Sequence, residues 1–190
     1  YLKLTGDDII AAMTNAPLGP NAVSYYNAPQ VAAGVVMLEH WSVQNGLKLI
    51  EKERATIAGV VPTQLVEMNA YPDLEKHDLS SLRIIWCTGS MLPHHLAVEL
   101  EDKLKCRVIN LYGAMDFGAM SSSPVDAPRN VRLISVGQPL PGNEAKIIDS
   151  SGKELTGGEI GKIAFRGAKG FSGYYKDPEL TSRNWTKDGW

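Results

Sequence analysis

Apolar positions along this chain gather into short runs separated by stretches with helical spacing. Val35-Val-Met-Leu38 is strand-like, and Thr56 to Val61, Arg83-Ile-Ile-Trp-Cys87 and Arg107-Val-Ile-Asn110 each read as a buried strand. Between them lie amphipathic segments. Ser42 is suited to cap a helix in which Val43, Leu47 and Ile50 fall at i, i+4 and i+7, with Lys48, Glu51, Lys52 and Glu53 on the solvated side. Pro62 opens a second helix carrying Leu65, Val66 and Met68. Pro93 opens a third, in which Leu96, Leu100 and Leu104 share one face. A short helix is predicted over residues 8–14 and a loop from Pro17 to Pro20. Strand and helix alternating at this spacing predict right-handed crossovers and a parallel sheet. The segments Thr88-Gly-Ser90 and Asn110 to Asp116 would then leave the same sheet edge as two walls of a cleft.

The pattern changes near residue 121. Ser121-Ser-Ser-Pro124 and Ala127-Pro-Arg-Asn130 read as an exposed, mobile connection. Beyond them Ala145-Lys-Ile-Ile148 and Lys162-Ile-Ala-Phe-Arg166 read as strands, and Asp149-Ser-Ser-Gly152 fits a tight hairpin turn. The expectation is therefore a parallel-sheet α/β subdomain over residues 1–128, then a smaller β-rich subdomain over 129–190 that is truncated at its end.

Composition narrows the function classes. The 190 residues carry a formal net charge of −2 without a basic block, which argues against nucleic acid as a partner. The two cysteines, Cys87 and Cys106, sit on core strands as small hydrophobes, so a disulfide scaffold is not expected and a reducing cytoplasm is. No apolar run approaches the roughly 20 residues that span a bilayer, so no transmembrane segment is expected. His94 and His95 are adjacent on a predicted helix and point apart, which disfavours a shared metal. Gly157, Gly158 and Gly161 flank strands instead of opening a helix, so they read as turns, not as a phosphate cradle.

The chemistry concentrates in Asn110-Leu-Tyr-Gly-Ala-Met-Asp116, at the carboxyl end of a strand, where open α/β sheets bind ligands. A turn is expected at Tyr112-Gly113. Tyr112 offers a flat face for a base, Gly113 lets backbone approach a ligand, and Asp116 supplies a hard oxygen for Mg2+.

In order, the chain carries Val61-Pro-Thr63, Leu79-Ser-Ser-Leu-Arg83, Thr88-Gly-Ser90 and Tyr112-Gly-Ala-Met-Asp116. Val136-Gly-Gln-Pro-Leu-Pro-Gly142, Gly158-Glu-Ile-Gly161 and Arg166-Gly167 follow. Gly173-Tyr-Tyr-Lys-Asp-Pro-Glu179, Thr181 and Asp188-Gly-Trp190 complete the succession. This order closely resembles the adenylate-forming superfamily, which includes acyl-CoA synthetases, firefly luciferase and nonribosomal adenylation domains. The resemblance runs from about residue 15 to the end and implies part of the large domain of an acyl-CoA synthetase-like protein. It implies ATP, Mg2+ and CoA as cofactors: a carboxylic acid becomes an acyl-adenylate and is passed to a thiol. Gly89, Ser90 and Met91 match the loop along the adenosine. Asn110, Leu111, Tyr112, Gly113, Ala114 and Met115 match the second nucleotide loop, with Tyr112 stacking on adenine, and Asp116 matches the family's Mg2+-binding glutamate. Val61, Trp86, Gly89, Ala114 and Met120 are acyl-pocket candidates, with Asn15 to Tyr26 as a further wall. A fatty or related hydrophobic acid is expected, and aromatic acids fit as well.

Two departures stand out. Met115 occupies a position where the family usually has threonine, and Asp116 one where it has glutamate. A thioether is a weak acceptor and no donor, so a hydrogen bond to the α-phosphate worth about 1.5–3 kcal/mol is lost. The family's phosphate loop, ribose-binding aspartate and lysine-bearing carboxy-terminal domain are expected outside the chain. No catalytic residue is therefore expected within it, and the chain alone should not catalyse. Two alternatives accompany this reading: a non-catalytic nucleotide-binding homologue, and an adenylation domain of a multimodular synthetase.

Overall fold

A computed structural model of the protein describes residues 1–14, 21, 23–168, 170 and 172–190, so the predicted Pro17–Pro20 loop lies outside the described residues. One sheet takes strands β1 (Ile9–Ala12), β2 (Gly34–Met37), β3 (Ile57–Val60), β4 (Ile84–Cys87), β5 (Arg107–Ala114), β6 (Gly118–Ser122) and β7 (Gln138–Pro139). Their order is β2-β1-β3-β4-β5-β6-β7. A second sheet pairs β8 (Asn143–Ile148) with β9 (Lys162–Gly167). By compactness the chain forms two units, Tyr1–Gly113 with Ser121–Gln138 and Ala114–Met120 with Pro139–Trp190. This grouping gives each unit two pieces of chain, where a division at residue 128 would give each one.

In the first unit, β1 pairs with β2 and β3, β3 with β4, and β4 with β5, all parallel, as the strand–helix alternation predicts. Every residue of β3 and β4 is buried, which is why these strands read as continuous apolar runs. Ala58, Val60, Ile85, Cys87 and Val108 join a core with Leu47 and Ile50 of α2 (Val43–Glu53). Leu65 and Met68 of α3 (Pro62–Ala70) and Leu96 and Leu100 of α4 (His94–Leu104) complete that layer. A single helical turn, α1, spans Ala28–Val31. The Ser42 hydroxyl accepts from Asn45 N–H at 3.1 Å and caps α2 as expected. Cys87 and Cys106 are free and buried, and burial pushes both thiols up to about 12. Among the described residues no helix is long and apolar enough to cross a membrane.

Four expectations are corrected. Where a helix is expected over residues 8–14, Ile9–Ala12 form strand β1: Ile10, Ala11, Ala12 and Met13 are all buried, and a run this short carries no period of its own. Val66 is 52 % exposed, because its neighbour Leu65 takes the inward position and adjacent helical residues diverge. Tyr112-Gly113 lies within β5 and not in a turn; the chain reverses at Met115–Phe117. Ser121, Ser122 and Ser123 are buried instead of forming an exposed connection. The Ser122 hydroxyl donates to Asn110 C=O at 2.9 Å. Gly137, at φ 73°, comes so close that a Cβ there would lie 2.1 Å from Ser122 carbon. Downstream, α5 (Arg129–Arg132) inserts Arg132 beside Glu101, with Arg132 only 3 % exposed.

In the second unit, β8 and β9 are antiparallel, with Asn143 opposite Gly167 and Ile148 opposite Lys162. Asp149 makes the expected turn, its side chain accepting from Ser151 N–H at 2.8 Å. The chain returns only as a single bridge, Ile148 to Glu154, before β9 begins. Helix α6 (Pro178–Asn184) is capped by the Asp177 carboxylate, which accepts from Leu180 N–H at 2.8 Å.

Candidate functional site

Strand order places β1 between β2 and β3, so the connections from β1 and β2 run to opposite sides of it. At such a reversal the carboxyl ends of parallel strands open a crevice. Gln64 secures this edge. Its Oε1 accepts from Val61 N–H at 2.9 Å, and its Nε2 donates to Met13 C=O at 2.8 Å. One buried side chain thereby satisfies the loose ends of β1 and β3, which local periodicity does not reveal. On the described stretch that follows β1, Asn21 Nδ2 donates to Thr14 C=O. Residues 15–20 and 22 of the expected Asn15–Tyr26 wall lie outside the described residues.

The next two strand ends carry the predicted loops. Cys87 pairs with Asn110 in the parallel register of β4 and β5, so Thr88–Met91 leaves the sheet beside the continuation of β5 through Leu111–Gly113. Gly89 sits at φ 101°, a conformation side chains rarely adopt, and a Cβ there would meet Val61 Cγ1 at 3.4 Å. Val61, Gly89 and their strand ends are thus neighbours, as an acyl or nucleotide pocket would need. Gly89, Ser90 and Met91 are exposed, Met91 by 88 %. Asn110 is half-buried, its carbonyl accepting from Ser122. Tyr112 and Gly113 are exposed, whereas the Leu111 side chain is buried, so that residue can offer a ligand only its backbone. Trp86 is buried too, and its indole N–H has no hydrogen-bond partner among the described residues. A buried donor without a partner is costly, and a ligand oxygen would relieve it.

The remaining predicted positions belong to the second unit. Ala114 and Met115 are exposed, Met115 by 78 %. Phe117 N–H donates to Ala114 C=O at 3.2 Å and closes the turn that carries Asp116. Met120 is buried, with its carbonyl taken by Leu140 N–H at 2.9 Å and Asn143 Nδ2 at 3.0 Å. Asp116 is half-buried, and the Tyr174 hydroxyl donates to its Oδ2 at 3.1 Å. Burial and the facing carboxylate both push the Tyr174 phenol up, which keeps it protonated as a donor. Tyr174 lies in the Gly173–Glu179 motif, yet nothing in its spacing points to Asp116.

Among the described residues no three His, Cys, Asp or Glu side chains converge to hold a metal by themselves. Asp116 with one oxygen engaged still fits Mg2+. That ion is commonly held by one or two carboxylates together with nucleotide phosphates and waters.

Known proteins place this geometry in context. A soybean (Glycine max) 4-coumarate–CoA ligase is 32 % identical over 83 % of this chain and 56 % of its own length. The medium-chain fatty-acid–CoA ligase of Escherichia coli K12 is 32 % identical over the whole chain but 33 % of its own length. The pyochelin synthase PchD of Pseudomonas aeruginosa is 30 % identical over 82 % of the chain and 28 % of its own length. The crystal structure of ATP-bound MatB from Rhodopseudomonas palustris superimposes with a TM-score of 0.89 at 28 % identity. It covers 100 % of this chain and 37 % of MatB. The chain thus spans between about a quarter and just over half of the length of these relatives. A family model described as AMP-binding enzyme matches residues 22–175, and with the motifs and the sheet edge described above it shows that this chain belongs to the AMP-binding enzyme family.

Proposed function

We propose that this chain is the nucleotide- and acid-binding part of an AMP-forming acid–thiol ligase. A carboxylate oxygen of the acid attacks the α-phosphorus of ATP, the bond to pyrophosphate breaks, and an acyl-adenylate forms. A thiol, that of CoA, then displaces AMP. The observation that carries this reading is the parallel register of Cys87 with Asn110, which sets Thr88–Met91 beside Leu111–Gly113 at the carboxyl edge of the sheet.

In this reading Gly89, Ser90 and Met91 run along the adenosine and the Tyr112 ring stacks on adenine. Such stacking is worth of order 1 kcal/mol. Asn110, Leu111, Gly113 and Ala114 present backbone to the nucleotide, and Met115 faces the α-phosphate. Asp116 would hold Mg2+, which supplies charge neutralisation to the phosphates when bound. Val61, Trp86, Gly89, Ala114 and Met120 would shape the acyl pocket. The small Gly89 and Ala114 leave room for a fatty or other hydrophobic acid. The fatty-acid and coumarate ligases among the relatives support a chain or a ring equally. The free cysteines support a reducing, cytoplasmic setting.

The test is pyrophosphate release by the complete protein with ATP and Mg2+ across a panel of fatty and aromatic acids. Acid-dependent release is expected, and the isolated chain is expected to show none. Met115→Thr should raise release about tenfold by restoring one hydrogen bond to a charged group. A second reading, a nucleotide-binding homologue without ligase chemistry, is favoured by the exposed thioether of Met115 where a hydroxyl is usual. ATP binding without release for any acid would select it. A third, an adenylation domain that loads a carrier thiol in place of CoA, draws on the pyochelin synthase relative. Acid-dependent release with no CoA thioester formed would select that one.

A further inference from the structure

We propose that Tyr174 is the positioning residue for Asp116: its hydroxyl fixes one carboxylate oxygen so that the other is presented to a divalent cation bound with nucleotide. This rests on the nucleotide-site reading above.

Both partners stand on braced backbone within the second unit. The Tyr174 N–H donates to Thr181 Oγ1 at 2.9 Å, and its ring meets Trp185 edge-on with centroids 5.7 Å apart. Gly173, which leads into it, takes φ 144° and leaves no room for a side chain, since a Cβ would lie 2.8 Å from Thr181 Cγ2. On the other side, Phe117 is buried and its ring lies 6.0 Å from that of Phe165. Its backbone closes the tight turn carrying Asp116. The 3.1 Å bond from Tyr174 to Asp116 Oδ2 therefore joins two fixed points across 58 residues of sequence.

The chemistry explains why such a brace matters. An ionised carboxylate only accepts, so a phenol on Oδ2 leaves Oδ1 directed elsewhere. Among the described residues no group of three His, Cys, Asp or Glu side chains gathers to hold a cation, so the orientation of the Asp116 carboxylate matters all the more. A lone aspartate swings freely about its side-chain bonds, and Mg2+ tolerates little departure from octahedral geometry. Donors that orient ligating groups in this way alter metal affinity by about 10- to 100-fold.

The experiment compares ATP affinity, measured by calorimetry in Mg2+ and in EDTA, for the complete protein and its Tyr174→Phe variant. Phenylalanine keeps the ring against Trp185 and removes only the hydroxyl. The expected result is a roughly tenfold loss of the Mg2+-dependent gain in affinity, with affinity in EDTA unchanged. In an Asp116→Asn background, Tyr174→Phe should add nothing. Equal weakening in both buffers would reveal a merely structural role and overturn the proposal, as would no change in either buffer or an additive double variant. A wild-type protein that binds ATP without any gain from Mg2+ overturns this proposal alone. One that binds no ATP in either buffer overturns the nucleotide reading and the proposal with it.

Discussion

The two compact units are held by different forces. Strands β3 and β4 of the first are buried at every position, whereas β8 and β9 of the second are half-buried or exposed throughout. Of the described apolar side chains that are buried, only Phe117 and Met120 belong to the second unit. That unit leans instead on turn hydrogen bonds and surface charge. Arg166 pairs with Glu144 at 2.7 Å, and Lys146 and Arg166 lie 4.1 and 4.7 Å from the Trp190 ring. The comparison teaches that the first unit is stabilised by burial and by a few enclosed polar groups. The second is held by contacts that water and salt can reach.

Asp8 offers the strongest way to break that contrast. It is 4 % exposed, and Arg83 clamps it through Nε at 2.8 Å and Nη2 at 2.7 Å. Thr56 Oγ1 donates to it at 2.6 Å and Thr5 N–H at 2.9 Å, which ties the starts of β1, β3 and β4 together. Asp8→Ala is expected to cost about 3 kcal/mol by leaving the Arg83 guanidinium without its carboxylate, read by chemical denaturation. Burial raises the Asp8 carboxyl, but the hydrogen bonds from Arg83 and Thr56 outweigh it and hold the group down at about 2. Because the folded value lies below the unfolded one, this stabilisation is present above pH ~4 and disappears as pH falls towards 2. The loss is about 2 kcal/mol, visible as a falling denaturation midpoint in acid whose drop is smaller by that amount in Asp8→Asn.

Gln64→Leu comes next. It keeps the bulk of the side chain but strands Val61 N–H and Met13 C=O, at a cost of about 1–2 kcal/mol and with faster amide exchange at Val61. In the second unit, Gly152→Ala places a side chain at φ 88° in open space and should cost about 1 kcal/mol through backbone strain alone. The smallest effect expected is from added salt. Amides of β8 and β9 should exchange faster at high ionic strength, while those of β3 and β4 stay unchanged.

The sequence reveals much of the first unit because β3, β4 and their helices advertise burial locally. Leu47, Ile50, Leu96 and Leu100 repeat at helical spacing and face the core. It misreads residues 8–14 because a strand buried on both faces has no alternation to read. Ser121–Ser123 mislead for the opposite reason: polar residues that look like linker are enclosed by neighbours distant in the chain. The site shows the same division. The turn after β4 is legible from Gly89, whereas Gly113 suggests a turn where β5 in fact continues. The Gln64 bridge and the Tyr174–Asp116 bond join residues 51 and 58 positions apart and leave no local mark.

The most direct test of the account is hydrogen–deuterium exchange on the complete protein with and without ATP and Mg2+. Slower exchange is predicted at Gly89–Met91 and Asn110–Asp116, with the hairpin turn at Asp149–Gly152 unchanged. Nucleotide binding that leaves both of those loops unprotected would contradict it.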